Sequence, residues 1–194
     1  MNGSDTTEIT IIRHAPTRSP GRLCGRTDVR ANTDGDMRIA RMARDLPVPA
    51  RLIASPARRC IETAAALWPG RRPDALENSL WEQDFGEWEG LAYADLPDLG
   101  PQSLDYLASH RPPKGESFAD MAHRVAPVLQ TLARQGDTTV VAHAGTVRAA
   151  IALANGSLAS ALSYEIAHLS MTRLRAAPDG RWSIVFVNRT ADIG

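Results

Sequence analysis

The sequence predicts an α/β fold, and three observations predict it. Two apolar runs, Ile9-Thr10-Ile11-Ile12 and Thr138-Thr139-Val140-Val141-Ala142, are each followed closely by a histidine, His14 and His143. A third run, Arg51-Leu52-Ile53-Ala54, passes directly into Ser55-Pro56 and a helical pattern. Short apolar runs followed by helices suit strands of a mostly parallel sheet. In such sheets ligands sit beyond the carboxyl ends of the strands. If the strands leading to His14 and His143 are parallel neighbours, both imidazoles face one crevice, and a helix starting near Thr146 aims backbone donors at it. One strand-end histidine more often simply bonds a loop carbonyl, so the pair is the signal.

The other elements follow from local chemistry. Residues 16–28 are rich in turn formers and form a loop beside the presumed site. Arg18, Arg22 and Arg26 on that loop would either close over an anion or face solvent. Asp36 opens a short helix in which Met37, Ala40, Ala43 and Leu46 recur at helical spacing, and Pro47 ends it. Ser55 is the expected N-cap of the next helix and Pro56 its first residue. Arg58 and Arg59 fall in that helix's opening turn, where the macrodipole favours an anion, so either is a candidate phosphate clamp. Cys60, Ile61, Ala64, Ala65 and Trp68 supply its apolar face.

Residues 80–90 concentrate acids, aromatics and two glycines. An acid buried there against Trp81, Phe85 or Trp88 would have its pKa raised by desolvation and could donate a proton, but composition does not choose which. Ser103 to His110 reads as a helix, and residues 111–116 break it. Ser117 with Asp120 forms a capping box for a long helix with Phe118, Met121, Val125, Val128, Leu129 and Leu132 on one face. Pro127 should kink that helix and Gly136 should end it. Val147 to Ala154 is helical, and residues 171–175 and 182–187 alternate on either side of Pro178-Asp179-Gly180 as a hairpin would. His110, His123 and His168 read as structural.

Length and composition bound the function. With 194 residues and 43% hydrophobic content, the chain is expected to form one domain spanning 1–194, with a flexible N-terminus over residues 1–7. The net charge of zero gives no basic groove for nucleic acid. Lys114 is the only lysine among many arginines, a bias that codon usage explains as readily as phosphate binding. Cys24 and Cys60 form neither a disulfide framework nor a zinc knuckle, which fits a reducing, cytoplasmic setting. No signal peptide and no apolar stretch long enough to cross a bilayer is seen, so no membrane partner is expected.

Taken in order, Arg13-His14-Ala15, Ser55-Pro56-Ala57-Arg58-Arg59, Glu82-Gln83-Asp84-Phe85-Gly86, Gly115-Glu116-Ser117 and Val141-Ala142-His143-Ala144-Gly145 resemble the motifs of the histidine phosphatase superfamily, in the branch that holds cofactor-dependent phosphoglycerate mutase. The resemblance runs from residue 9 to about residue 187. It implies a three-layer α/β/α sandwich with helices on both faces of the sheet. It also implies the roles: His14 as the nucleophile that becomes phosphohistidine, Arg13 and Arg59 as phosphate-binding arginines, His143 and Ala144 in the phosphate pocket, and Glu82 as proton donor. Thr17 and Arg26 fall on the substrate loop, and Glu89 at a more structural position. Ala15 stands where the family usually has glycine, and Pro20 where the mutases usually have asparagine.

Phosphoryl transfer needs charge balance on three equatorial oxygens, which Arg13, Arg59 and His143 would supply without a metal or other cofactor. Two nearby cations also disfavour protonation of His14 and keep its lone pair available. The resemblance therefore implies a phosphatase for a small phosphorylated metabolite, acting as monomer or homodimer, with mutase-type transfer as the alternative. Residues 21–28 and 113–117 look similar to α-ribazole phosphatases of cobalamin assembly and also to broad-specificity sugar-phosphate phosphatases. A zinc hydrolase is disfavoured because Arg13 adjoins one presumed ligand and no H-E-x-x-H spacing occurs. A phospho-ligand sensor would need neither nucleophile nor acid.

Overall fold

The computed structural model describes residues 6–191. Its centre is a six-stranded sheet in the order β3-β2-β4-β1-β5-β6. The strands are β1 (Thr7–Arg13), β2 (Leu52–Ala54), β3 (Ala75–Leu76), β4 (Thr138–Ala142), β5 (Met171–Ala176) and β6 (Trp182–Arg189). Pairing is parallel from β3 through β1, whereas β5 and β6 are antiparallel to their neighbours. Thr7 already pairs with Ala176, so the ladder reaches into the expected flexible N-terminus, whose residues 1–5 lie outside those described.

Period-2 alternation sends successive side chains of one strand to opposite layers. Ile9 and Ile11 of β1 join one core cluster while Ile12 joins the other, and Val140 and Val141 of β4 divide in the same way. The first cluster is covered by α4 (Phe118–Gln135) and α5 (Ala144–Asn155), the second by α1 (Met37–Asp45) and α2 (Arg58–Leu67). The fold is thus a single-domain three-layer α/β/α sandwich. Two short helices, α3 (Leu104–Ser109) and α6 (Leu158–Leu162), complete the layer with α4 and α5.

Several local expectations are corrected. α2 starts at Arg58 with Ala57 as N-cap; the Ser55 hydroxyl lies 2.8 Å from His143 Nε2 and accepts from Ala57 N at 3.4 Å, before the helix begins. Its buried face includes Arg59 and Thr63, while Ala65 is exposed. On α1 the buried pair is Ile39 and Met42, and Met37 lies 64% exposed. α4 runs unbroken through Pro127, whose carbonyl accepts from Thr131 Oγ1 at 2.9 Å, and His123 faces solvent. α5 begins at Ala144 rather than near Thr146. The Ser117–Asp120 capping box is formed, and Gly136 ends α4 at φ 108°.

Candidate active site

β1 and β4 are parallel neighbours, with Arg13 level with Ala142, so their carboxyl ends deliver His14 and His143 side by side. The ladder continues one step further, since His14 N donates to Ala142 O at 2.9 Å. The two imidazoles meet edge to face with centroids 5.3 Å apart. His143 is fully buried, parallel to the Trp81 ring at 6.4 Å, with its Nε2 2.8 Å from Ser55 Oγ. Cys60 packs on the same nitrogen at 3.6 Å, and burial pushes its thiol up to about 12.

His14 is held in one orientation by its own turn. Its Nδ1 lies 2.7 Å from the Ala15 carbonyl oxygen, an acceptor, so Nδ1 carries the proton and Nε2 keeps its lone pair. The Ala15 N–H donates to Thr63 Oγ1 at 2.9 Å, and that hydroxyl donates to Arg59 O at 2.6 Å, which ties the turn after β1 to α2. Burial, then the Arg59 guanidinium, holds His14 well below the usual histidine range. The same two causes lead for His143. The cations named from sequence therefore act on His14, but desolvation acts more strongly.

Of the two candidate clamps, the structure buries Arg59 and leaves Arg58 on the surface, 3.8 Å from Glu62. Arg59 donates to Thr27 O at 3.0 Å and Gly25 O at 2.6 Å, and its plane lies over Trp81. Arg13 donates to Ile166 O. The Nε atoms of both arginines are buried without a partner. A buried unpaired donor costs about 1–3 kcal/mol, more when charged, so two such donors near the His14 imidazole are groups an anion would satisfy.

A cavity of about 300 Å³ opens here, lined by Arg13, His14, Thr17, Arg22, Glu82 and His168 among others. Arg59 and His143 are fully buried, and neither they nor Ala144 line it. Arg26 does not line it; its guanidinium lies 5.8 Å over Trp81 and 3.9 Å from Glu116. Hollows of about 420 and 470 Å³ elsewhere, at Trp182 and at Arg51, include neither His14 nor His143.

Glu82 is the acid that the cavity selects from its segment. Its oxygens accept from Gln83 N at 3.1 Å and Gly145 N at 3.3 Å, the latter in the first turn of α5. A Cβ at Gly145 would lie 2.2 Å from Glu82 Oε1, so only glycine lets the carboxylate approach this turn. Arg124 holds the chain from below, donating to Glu82 O at 2.9 Å and to Trp81 O at 2.8 Å. Glu89 instead accepts from the Gly25, Arg26, Thr27 and Phe85 backbone amides and from Thr27 Oγ1. Burial pushes the Glu89 carboxyl up, but those hydrogen bonds outweigh it and hold it below the ordinary range. This carboxylate fixes the loop whose carbonyls hold Arg59.

Sequence alone reads His168 as structural, whereas the structure places it on the cavity wall. Its centroid is 5.2 Å from that of His14, Nδ1 is 3.1 Å from His14 O, and Nε2 is 3.2 Å from Arg13 Nη2. It sits in the irregular stretch between α6 and β5, followed by Leu169 at φ 61°. Nothing in its sequence context marks it. Among the described residues no group of three or more His, Cys, Asp or Glu is gathered to hold a metal ion. No helix among them is long and apolar enough to cross a membrane.

Two strand-end histidines beside Arg13 and the buried Arg59, on a β3-β2-β4-β1-β5-β6 sheet, form a pocket whose unpaired donors suit an anion. The profile of the histidine phosphatase superfamily, branch 1, matches residues 9–190, and the chain belongs to that superfamily. It is 29% identical over 199 residues to a bifunctional protein of Mycobacterium tuberculosis, covering 95% of this chain and 54% of that one. Over 98 residues it is 35% identical to a 6-phosphofructo-2-kinase/fructose-2,6-bisphosphatase of Caenorhabditis elegans, covering 48% of this chain and 21% of that one. The chain thus spans only part of the length of these relatives. The solved structure of mycobacterial hydrolase 1 superposes with a TM-score of 0.83 at 23% identity, covering 96% of this chain and 100% of that one, a likeness of fold.

Proposed function

We propose that this protein is a phosphomonoester hydrolase that works without a metal and passes the phosphoryl group through His14. One observation carries the reading: a buried imidazole with Nδ1 fixed on Ala15 O stands beside two guanidinium groups whose Nε donors have no partner. In the first step His14 Nε2 forms a bond to phosphorus as the bond from phosphorus to the ester oxygen breaks. Glu82, on the cavity wall, gives its proton to the departing alkoxide. In the second step water attacks the phosphohistidine, Glu82 takes the water proton, the P–N bond breaks, and inorganic phosphate leaves. Arg13 on the wall, with the buried Arg59 and His143, balances charge on the equatorial oxygens.

The substrate is a small phosphorylated metabolite, as the cavity of about 300 Å³ admits. α-Ribazole phosphate is one candidate, on the likeness of residues 21–28 and 113–117 alone. Incubation with an aryl phosphate in the presence of chelator, followed by a denaturing quench at alkaline pH, should trap a phosphoryl enzyme that is stable to base and released by acid. His14→Ala should abolish both trapping and turnover. Turnover that persists in His14→Ala, or that chelator removes, would overturn this reading. A phosphorylated metabolite screen, α-ribazole phosphate included, selects the substrate, and transfer to a second alcohol in place of water would reveal a mutase.

A further inference from the structure

Beside the phosphate cavity lies a second hollow, of about 240 Å³, that the chemistry above leaves unused. Leu23 and Phe85 line both, so the two hollows share a wall. The remaining surface is largely apolar, with Trp88, Leu96, Leu99 and Leu107 facing in. Gln83 also lines it, but its side-chain amide already donates to Glu116 O at 2.8 Å. One polar atom is left without a partner: His110 Nε2 is buried and unpaired. The ring bearing it is held firmly, stacked on Trp88 at 5.5 Å with Nδ1 3.2 Å from the Tyr106 hydroxyl.

Small-molecule sites are mostly apolar with a few placed polar groups, and an apolar cavity of about 150 Å³ is enough to take up benzene. This hollow has that composition, more than that volume, and a wall in common with the nucleophile's cavity. We propose that it receives the alcohol half of the substrate, and that the preferred substrates are phosphomonoesters of arylalkyl alcohols whose ring carries a group hydrogen-bonded to His110 Nε2. The proposal rests on the phosphatase reading above.

The test compares ethyl phosphate, 2-phenylethyl phosphate and 2-(4-hydroxyphenyl)ethyl phosphate, the phenol being able to donate or accept. kcat/KM should rise about tenfold with the ring and about tenfold again with the hydroxyl. Leu99→Asp, in an irregular segment, should remove both increments. His110→Phe, which keeps a stacked ring, should remove only the second. Binding of the product alcohol, 2-(4-hydroxyphenyl)ethanol, followed by NMR, gives a readout that needs no turnover and should be lost in Leu99→Asp. Equal kcat/KM for all three esters with no alcohol binding would overturn the pocket and leave the phosphatase intact. Alcohol binding that Leu99→Asp abolishes, with no ester hydrolysed by the wild type, would support the pocket and sink the phosphatase.

Discussion

The imidazoles of His14 and His168 lie 5.2 Å apart, and His168 bridges the His14 carbonyl to the Arg13 guanidinium. His168 therefore fixes the direction of Arg13 rather than reacting itself. His168→Ala should lower kcat/KM about tenfold, mainly through KM, because the anion loses an oriented donor. His168→Gln, which retains a donor and an acceptor, should recover part of the loss. Steady-state kinetics of the two variants checks this, and a loss confined to kcat would contradict it.

Activity should not fall as pH drops through the ordinary histidine value of 6.5, since burial and Arg59 hold His14 well below it and its lone pair stays free. Once corrected for the second ionisation of the phosphate ester, at about pH 6, a kcat/KM profile should show no inflection there. An acid limb centred near 6.5 would place a protonated imidazole in the resting site.

Stability should respond differently. His168 is lowered from 6.5 to about 4, by burial first and Arg13 second, so the unfolded chain binds protons more readily than the folded one. The resulting stability is full above about 6.5 and is lost as pH falls towards 4. His14 and His143 act in the same direction. Urea midpoints should therefore fall between pH 7.5 and pH 5, and by less in His168→Gln than in the wild type. Equal falls would argue against this assignment.

Gly145→Ala should act as a remote lesion of Glu82. The added methyl meets Glu82 Oε1 and the end of the buried Met121 side chain, so the acid should be pushed aside at some cost in core packing. Alkyl phosphates, which need a proton on the leaving oxygen, should slow by about 100-fold and p-nitrophenyl phosphate much less. Glu82→Gln should show the same split. Equal losses on both substrates would point to a different acid, Asp84 or Glu87.

Glu89→Ala should destabilise the fold by about 2–4 kcal/mol, as it leaves several amides and the Thr27 hydroxyl without their charged acceptor. Urea denaturation measures it. Activity should fall as well, through loss of the carbonyls that hold Arg59.

What the sequence revealed depended on pattern length. β1 and β4 were readable because an apolar run and the reactive residue after it are adjacent in the chain, and the parallel register then brings His14 and His143 together. The helix pattern left Arg58 and Arg59 open, because the rotation of α2 is set by packing against the sheet and by its cap, and only the family resemblance chose Arg59. Ser55 misled as a cap, since Ala57 takes that position and the Ser55 hydroxyl lies beside His143, 88 positions away. β3, with two residues, and α6, with five, are too short to show a period. His168 was hidden for a further reason: the turn beyond it places Leu169 at φ 61°, where no propensity rule puts leucine.

The Glu89 carboxylate bears on how mutational data for this protein should be read. It acts at a distance, through the Gly25–Thr27 carbonyls that hold Arg59 and through the Phe85 backbone at the cavity wall, yet its loss would disable the electrostatic partner of His14. Any survey that ranks positions by the turnover their removal eliminates would place this acid among the reacting groups, although it never meets the phosphorus.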